Sequence, residues 1–158
     1  MEQTYVDIMI QSLNKKIMIL DKIIELNLLQ KKQLEDTQTP VAEFDQTVEE
    51  KGKLIEQLEQ LDSGFSKLYE RVKEQLQANR EMYSSHIATM KECIRRITEK
   101  SIEIQAQESR NRDLMMQKIT FIRASAKNTR VNKKAVNQYY KNMMQLNYIE
   151  PQFLDNKN

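Results

Sequence analysis

Glycine and proline are almost missing from this sequence of 158 residues, which contains two of each and no tryptophan. In average soluble proteins these two residue types together make up about 12% of the chain. Folds built from many short strands, or from alternating strands and helices, need a turn residue roughly every 8–12 positions. The scarcity therefore argues against the sheet-containing classes and favours an all-α protein made of few, long helices.

Cysteine and long apolar segments are also scarce. Cys93 is the single cysteine, so no disulfide can form within the chain, and a reducing compartment is indicated. No apolar run reaches the roughly 18 residues of a transmembrane helix. The first residues, Met1-Glu2-Gln3, lack the basic and apolar parts of a secretory signal. We therefore expect a cytoplasmic protein that does not insert into a membrane.

Apolar residues recur at spacings of three and four, which predicts four helices in a single domain over residues 1–158. We expect these helices at residues 4–36, 40–77, 84–124 and 133–146, followed by a flexible tail over 147–158. The first helix, in which Leu20, Ile24 and Leu28 continue the stripe, is apolar on two faces and needs two neighbouring helices. Its short connection to the second helix predicts an antiparallel pair. The pattern thus indicates an elongated antiparallel helical bundle or coiled coil with a short C-terminal helix.

Four places depart from this pattern. Gly64 interrupts the second helix, where we favour a continuous helix over a kink or a close backbone approach. The charged segment around Gly52 gives no reason for a glycine. Residues 105–113 are almost wholly polar, which predicts that the neighbour of the third helix is polar or absent there. Residues 125–132 are typical of a weak helix or a linker.

The charge is unevenly distributed although the net charge is only +2. Nine basic residues and one acidic residue, Asp113, lie between residues 109 and 141. Such a stretch can bind nucleic acid or an acidic partner, or it can attract a neighbouring antiparallel helix. We favour helix attraction. Nucleic-acid binding is disfavoured because no recognised binding module accompanies the basic residues.

No set of residues in the sequence indicates catalysis. His86 is the only histidine, and it lacks the nearby glycine that phosphotransfer domains usually have. His86 and Cys93 together provide too few ligands for a metal site. The carboxylates are expected on solvated helix faces, where nothing raises their pKa for acid–base work. We therefore predict no enzyme, no catalytic residue, no metal and no cofactor.

Adjacent pairs of large side chains indicate a partner. The pairs are Met115-Met116, Met143-Met144 and Tyr139-Tyr140. Neighbours on a helix point about 100° apart, so both members of a pair cannot face one apolar stripe. One member of each pair must point toward a second contact, in another part of the chain or in a partner. Methionine adapts well to irregular apolar surfaces.

Several segments together resemble the FlgN-type flagellar export chaperones. In chain order they are Glu49-Glu50-Lys51-Gly52-Lys53-Leu54-Ile55-Glu56-Gln57-Leu58, Ile94-Arg95-Arg96-Ile97, Glu108-Ser109-Arg110-Asn111-Arg112-Asp113-Leu114-Met115, Ala135-Val136-Asn137-Gln138-Tyr139-Tyr140 and Pro151-Gln152-Phe153-Leu154-Asp155. The likeness covers most of the chain. The related FliT type, which escorts the filament cap, is similar. The basic stretch from Arg123 to Lys134 matches no family role.

The resemblance implies a cytoplasmic, non-enzymatic escort for hook-associated proteins. Such chaperones bind the C-terminal helices of unassembled subunits and deliver them to the gate and ATPase of the flagellar type III export apparatus. We expect the subunit to contact Asn111, Leu114, Met115, Ile119 and Ile122. We expect Tyr139 and Tyr140 to contact the gate or another partner. The alternative is a structural coiled-coil protein without a client, and the sequence leaves open whether the chain forms a homo-oligomer.

Overall fold

The computed structural model describes residues 2–36, 38–124 and 130–148, which form four α-helices. Helix α1 spans Glu2–Glu35, α2 spans Val41–Ala78, α3 spans Ser84–Ala124 and α4 spans Arg130–Tyr148. These ranges contain no strand, which confirms the all-α prediction. Helix α4 begins before and ends after the expected 133–146. Of the expected weak helix or linker at 125–132, residues 130–132 belong to α4 and the others lie outside the described residues. Of the expected flexible tail at 147–158, residues 147 and 148 also belong to α4, which corrects the expectation there, and the others lie outside the described residues.

Helix α1 lies between α2 and α3. It runs antiparallel to α2, as the Lys16–Asp62 ion pair (2.7 Å) and the Lys51–Asn27 hydrogen bond (3.0 Å) show by their reversed order. It runs parallel to α3. Three contacts between these two helices share one offset of 79 residues: Asp7 with His86, Asn14 with Cys93, and Asp21 with Lys100. The prediction that α1 needs two neighbours is confirmed.

Buried residues repeat every seven positions along these helices. In α1 the repeat is Val6, Leu13, Leu20, Asn27 and Leu34, each at most 8% exposed. A seven-residue repeat corresponds to 3.5 residues per turn, the geometry of left-handed coiled coils. The repeat places Asn27 in the core, where it is fully buried, and leaves Leu28 outside the core at 47% exposure. The sequence-based placement of Leu28 on the buried stripe was therefore wrong.

The apolar side chains form two separate cores. The larger core fills the space among α1, α2 and α3, with Ile23, Leu58 and Ile97 wholly buried, and it also receives Leu146 from α4. The smaller core lies where α4 meets the other helices. It consists of Leu34, Phe44, Val48, Met115 and Tyr139. Helix α4 therefore packs onto a bundle that α1, α2 and α3 already form.

Helix α2 continues through Gly64, as favoured from the sequence. A Cβ atom at this glycine would meet no heavy atom within 4 Å, so no neighbouring backbone approaches it. No helix in the described ranges is long and apolar enough to cross a membrane.

Candidate functional site

A layer of buried polar side chains lies at the level where α4 packs on the bundle. Lys51 on α2 is its centre, with no solvent exposure. Its ammonium donates hydrogen bonds to Glu108 Oε1 at 2.7 Å, Gln30 Oε1 at 2.9 Å and Asn27 Oδ1 at 3.0 Å. We call the following side chains the polar layer: Asn27, Gln30, Thr47, Lys51, Gln107, Glu108, Asn111 and Asn142. All four helices contribute to it.

Burial dominates the electrostatics of this layer. It lowers the pKa of Lys51, although the charge and the hydrogen bond of Glu108 act in the opposite direction. The Lys51 ammonium also lies 4.8 Å from the centre of the Tyr139 ring, a cation–π distance. Burial likewise raises the pKa of Tyr139, and Glu108 adds to the shift. The buried polar groups of this layer are compensated by hydrogen bonds to other helices. The layer therefore fixes how the four helices are aligned along the bundle axis.

The polar layer bears on two expectations from the sequence, the position of the carboxylates and the neighbour of residues 105–113. Carboxylates were expected on solvated faces, but Glu108 is only 3% exposed, so that expectation was wrong for this residue. The polar segment 105–113 has a polar neighbour. Gln107 accepts a hydrogen bond from Asn27 at 3.1 Å, and Asn111 donates one to the Asn27 carbonyl at 2.9 Å.

Polar contacts also fix α4 in place. The Tyr139 hydroxyl donates to the backbone carbonyl of Glu108 at 3.3 Å, and the Asn142 amide donates to the carbonyl of Val48 at 3.0 Å. A Cβ atom at Gly52 would lie 3.4 Å from Asn142 Oδ1. Gly52, which the sequence left unexplained, therefore lies where Asn142 of α4 packs on the surface of α2.

The predicted site residues occupy three different environments. Asn111, Met115 and Tyr139 are buried at 0%, 4% and 0% exposure, the first in the polar layer and the other two in the smaller core. Leu114 and Ile119 are partly buried and pack against that core, whereas Tyr140 is half-buried beside it. The side chain of Ile122 lies outside the described residues.

Exposed members of two adjacent pairs, Met116 on α3 and Met144 on α4, each lie next to Tyr140. Met116 is 50% exposed and Met144 59%, whereas Met115 is buried, which confirms that one member of this pair points away from the core. The Tyr140 hydroxyl lies 2.8 Å from the Met116 sulfur, and Met144 follows Tyr140 by one helical turn. We call Met116, Ile119, Tyr140 and Met144 the methionine surface. It joins the end of α3 to α4.

His86 and Cys93 lie on α3 far along the chain from this surface. His86 Nε2 is 3.3 Å from Asp7, and the ring meets Tyr83 edge-on. Cys93 is buried beside Asn14, and burial raises the pKa of its thiol. Among the described residues, no three histidine, cysteine or acidic side chains are grouped as metal ligands. The described contacts of His86 and Cys93 are therefore those of packed helices.

The spacing of apolar residues alone does not reveal the polar layer. Asn27, Lys51 and Asn111 each continue a seven-residue repeat of buried positions, so counting heptads through polar residues would have found them.

Comparison with known proteins matches the chain to a protein family. The model of the family described as FlgN protein matches residues 1–147. No curated protein and no solved structure matches the chain. The family match spans all four helices almost completely, including the polar layer and the methionine surface. The chain belongs to the FlgN family, which is a family of flagellar export chaperones and not of enzymes.

Proposed function

We propose that this protein is a cytoplasmic chaperone that binds the C-terminal helices of hook-associated proteins, prevents their premature assembly and delivers them to the export gate. The observation that carries the proposal is the methionine surface, where exposed apolar side chains of two helices lie together. An unassembled subunit exposes an amphipathic helix that would otherwise aggregate. A shallow apolar surface rich in methionine can cover such a helix reversibly.

Buried residues of α3 and α4 support the methionine surface. Met115 and Tyr139 support Ile119 and Tyr140 from the smaller core, and Asn111 ties α3 to α1 below them. We therefore propose that Ile119 contacts the client directly, and that Asn111, Met115 and Tyr139 act by holding α3 and α4 in position. Delivery to the gate and the ATPase is proposed from the family, with Tyr140 as the candidate contact.

The test uses two variants that place a charge on the methionine surface, Met116→Glu and Met144→Glu. The matched control is Ile102→Glu, because Ile102 lies on α3 and is 62% exposed. Affinity for a synthetic peptide carrying the C-terminal helices of a hook-associated protein is measured by calorimetry. We expect the two test variants to lose roughly tenfold or more in affinity, while the control and the circular dichroism spectra stay unchanged.

Three outcomes would contradict the proposal. If Met116→Glu and Met144→Glu bind like the parent chain, the surface is wrongly assigned. If Ile102→Glu loses as much affinity, the effect does not belong to the methionine surface. If the parent chain binds a filament-cap peptide and no hook-associated peptide, the client is wrong and the FliT-type alternative applies.

A further inference from the structure

Two basic side chains border the methionine surface. Arg112 precedes Met116 by four residues on α3, which places the two side chains on one helix face. The Arg112 side chain is 49% exposed. Lys141 is exposed on α4 and precedes Met144 by three residues, again one helical turn. The exposed apolar side chains therefore have a cation on each of the two helices that form the surface.

The chain itself provides little negative charge to neutralise these cations. Arg112 Nε is 3.9 Å from the carboxylate of Asp113, a long contact between two half-exposed groups. Lys141 has no ion-pair partner among the described residues. The nearest acidic residue before Asp113, Glu108, is buried against Lys51. Between residues 109 and 141 the sequence has nine basic residues against Asp113 alone.

Among the basic side chains of 109–141 that the structure describes, attraction between neighbouring helices accounts for Lys118 but not for Arg112 and Lys141. The ion pairs that join helices in the described part of the chain use Lys16, Lys51, His86 and Lys100, all outside 109–141. Lys118 donates to the carbonyls of Gln33 and Asp36 at the end of α1 and thus caps a helix. The interpretation that we favoured from the sequence is therefore supported at Lys118, whereas Arg112 and Lys141 are exposed and available to a partner.

We propose that the helix bound by the methionine surface is acidic, with an apolar stripe that has Asp or Glu residues beside it. This inference rests on the proposed function and specifies its client. The stripe would cover Met116, Tyr140 and Met144, while the flanking carboxylates would pair with Arg112 and Lys141. A nucleic acid would satisfy the cations but has no amphipathic stripe to cover the methionines. Charges at the rim of an interface mainly select the partner and speed its association.

The test compares two synthetic helical peptides of about 20 residues, long enough to be substantially helical in water. Both carry the same leucine stripe, but one has glutamate beside the stripe and the other has lysine. Their affinities for the full chain are measured by fluorescence anisotropy. We expect the glutamate peptide to bind about five- to tenfold more tightly at low salt. The difference should shrink as added salt screens the exposed charges.

Charge reversal provides the decisive variant. Arg112→Glu/Lys141→Glu should reverse the preference and bind the lysine peptide more tightly. The matched control is Lys53→Glu/Lys67→Glu, which changes the net charge equally at two exposed lysines of α2 and should keep the parent preference.

The possible results separate this inference from the function on which it rests. If both peptides and the hook-associated peptide bind equally well at every salt concentration, the methionine surface binds clients and the acidic preference is wrong. If no peptide binds, the proposed function itself fails. If a single-stranded oligonucleotide displaces the glutamate peptide and binds more tightly, the basic residues serve nucleic acid and the inference is overturned.

Discussion

At the scale of single residues, Lys51 and Glu108 form an ion pair that is buried between α2 and α3. Both side chains are almost inaccessible to water, at 0% and 4% exposure. Lys51 reaches acceptors on α1 and α3 at the same time. Removing one member of such a buried pair leaves the other charge buried without a partner, which strongly lowers the free energy of unfolding. Replacing both members by apolar residues of similar size lowers it far less. Sliding α2 or α3 along the bundle axis would separate the two charges, and sliding α1 would break its hydrogen bonds to Lys51. The pair and these hydrogen bonds therefore disfavour any other alignment of the three helices.

We predict that Lys51→Met lowers the free energy of unfolding by about 3–5 kcal/mol. The loss arises because Glu108 stays buried as an unpaired carboxylate, while Asn27 and Gln30 each lose a hydrogen-bond donor. Urea unfolding followed by circular dichroism measures the change. Lys73, which pairs with Glu70 on the exposed surface of α2, offers the matched control Lys73→Met, for which we expect little effect.

The double variant Lys51→Met/Glu108→Leu distinguishes a lost pair from a lost packing contact. It removes both charges and should recover most of the stability. A double variant as unstable as Lys51→Met alone would show that the two charges are not coupled. Adding the single variant Glu108→Leu and the parent chain completes a double-mutant cycle of four unfolding curves, from which the coupling free energy follows.

At the scale of helices, two glycines on α2 have opposite roles. Gly64 has open space where a side chain would stand, whereas Gly52 faces Asn142 and Gln138 of α4. Glycine in a helix interior costs about 1 kcal/mol relative to alanine. That cost brings no packing benefit at Gly64. At Gly52 a side chain larger than alanine would meet Asn142, which donates a hydrogen bond to the Val48 carbonyl.

We predict that Gly64→Ala raises the free energy of unfolding by up to about 1 kcal/mol, because alanine favours the helix and meets no neighbouring atom there. Urea unfolding measures the change.

We also predict that Gly52→Leu weakens the packing of α4 on α2. The leucine atoms beyond Cβ would have to displace Asn142, whose Oδ1 is already 3.4 Å from a Cβ at this position. Hydrogen exchange measures this weakening, because the amides of α4 should lose protection while those of α1 and α3 keep theirs. Uniform loss of protection, or none, would contradict the proposed contact.

Helix formation could be predicted from the sequence because it depends on residues close together in the chain. Spacing of apolar residues and the position of Pro40 sufficed for four helices near their observed bounds. The polar layer could not be predicted in the same way. It depends on contacts such as Lys51 with Glu108 and Asn142 with Val48, which are 57 and 94 residues apart. Spacing along one helix does not reveal which polar residue on another helix compensates a buried one.

At the scale of the whole molecule, the candidate site was found only in part for the same reason. The adjacent pairs correctly indicated that Met115 and Met116 face different ways. They could not show which member faces outward, because that depends on where α4 lies. As a result Met115 and Tyr139 were expected to contact a partner, although they are buried within the chain, and Met116 was omitted. We therefore propose Met116, rather than Met115, as the contact on α3.

The remaining alternative, a structural coiled-coil protein without a client, concerns the whole molecule and leads to the last prediction. A helix with two apolar faces forms oligomers when its own chain covers only one of them. Here α2 and α3 of the same chain cover most of the apolar side chains of α1, and Val6, Leu13 and Ile23 are at most 2% exposed, while Ile8, Met18, Leu28 and Leu29 stay exposed. We therefore predict that the free chain sediments as a monomer of 18.8 kDa.

Adding the hook-associated peptide should give a complex of one chain with one peptide, and Met116→Glu should prevent it. A stable oligomer that persists in Met116→Glu and does not respond to the peptide would instead favour the structural alternative. An oligomer that Met116→Glu dissociates would have a different meaning. It would show that copies of the chain meet through the methionine surface, and the peptide should then compete with that contact, because both require the same exposed side chains.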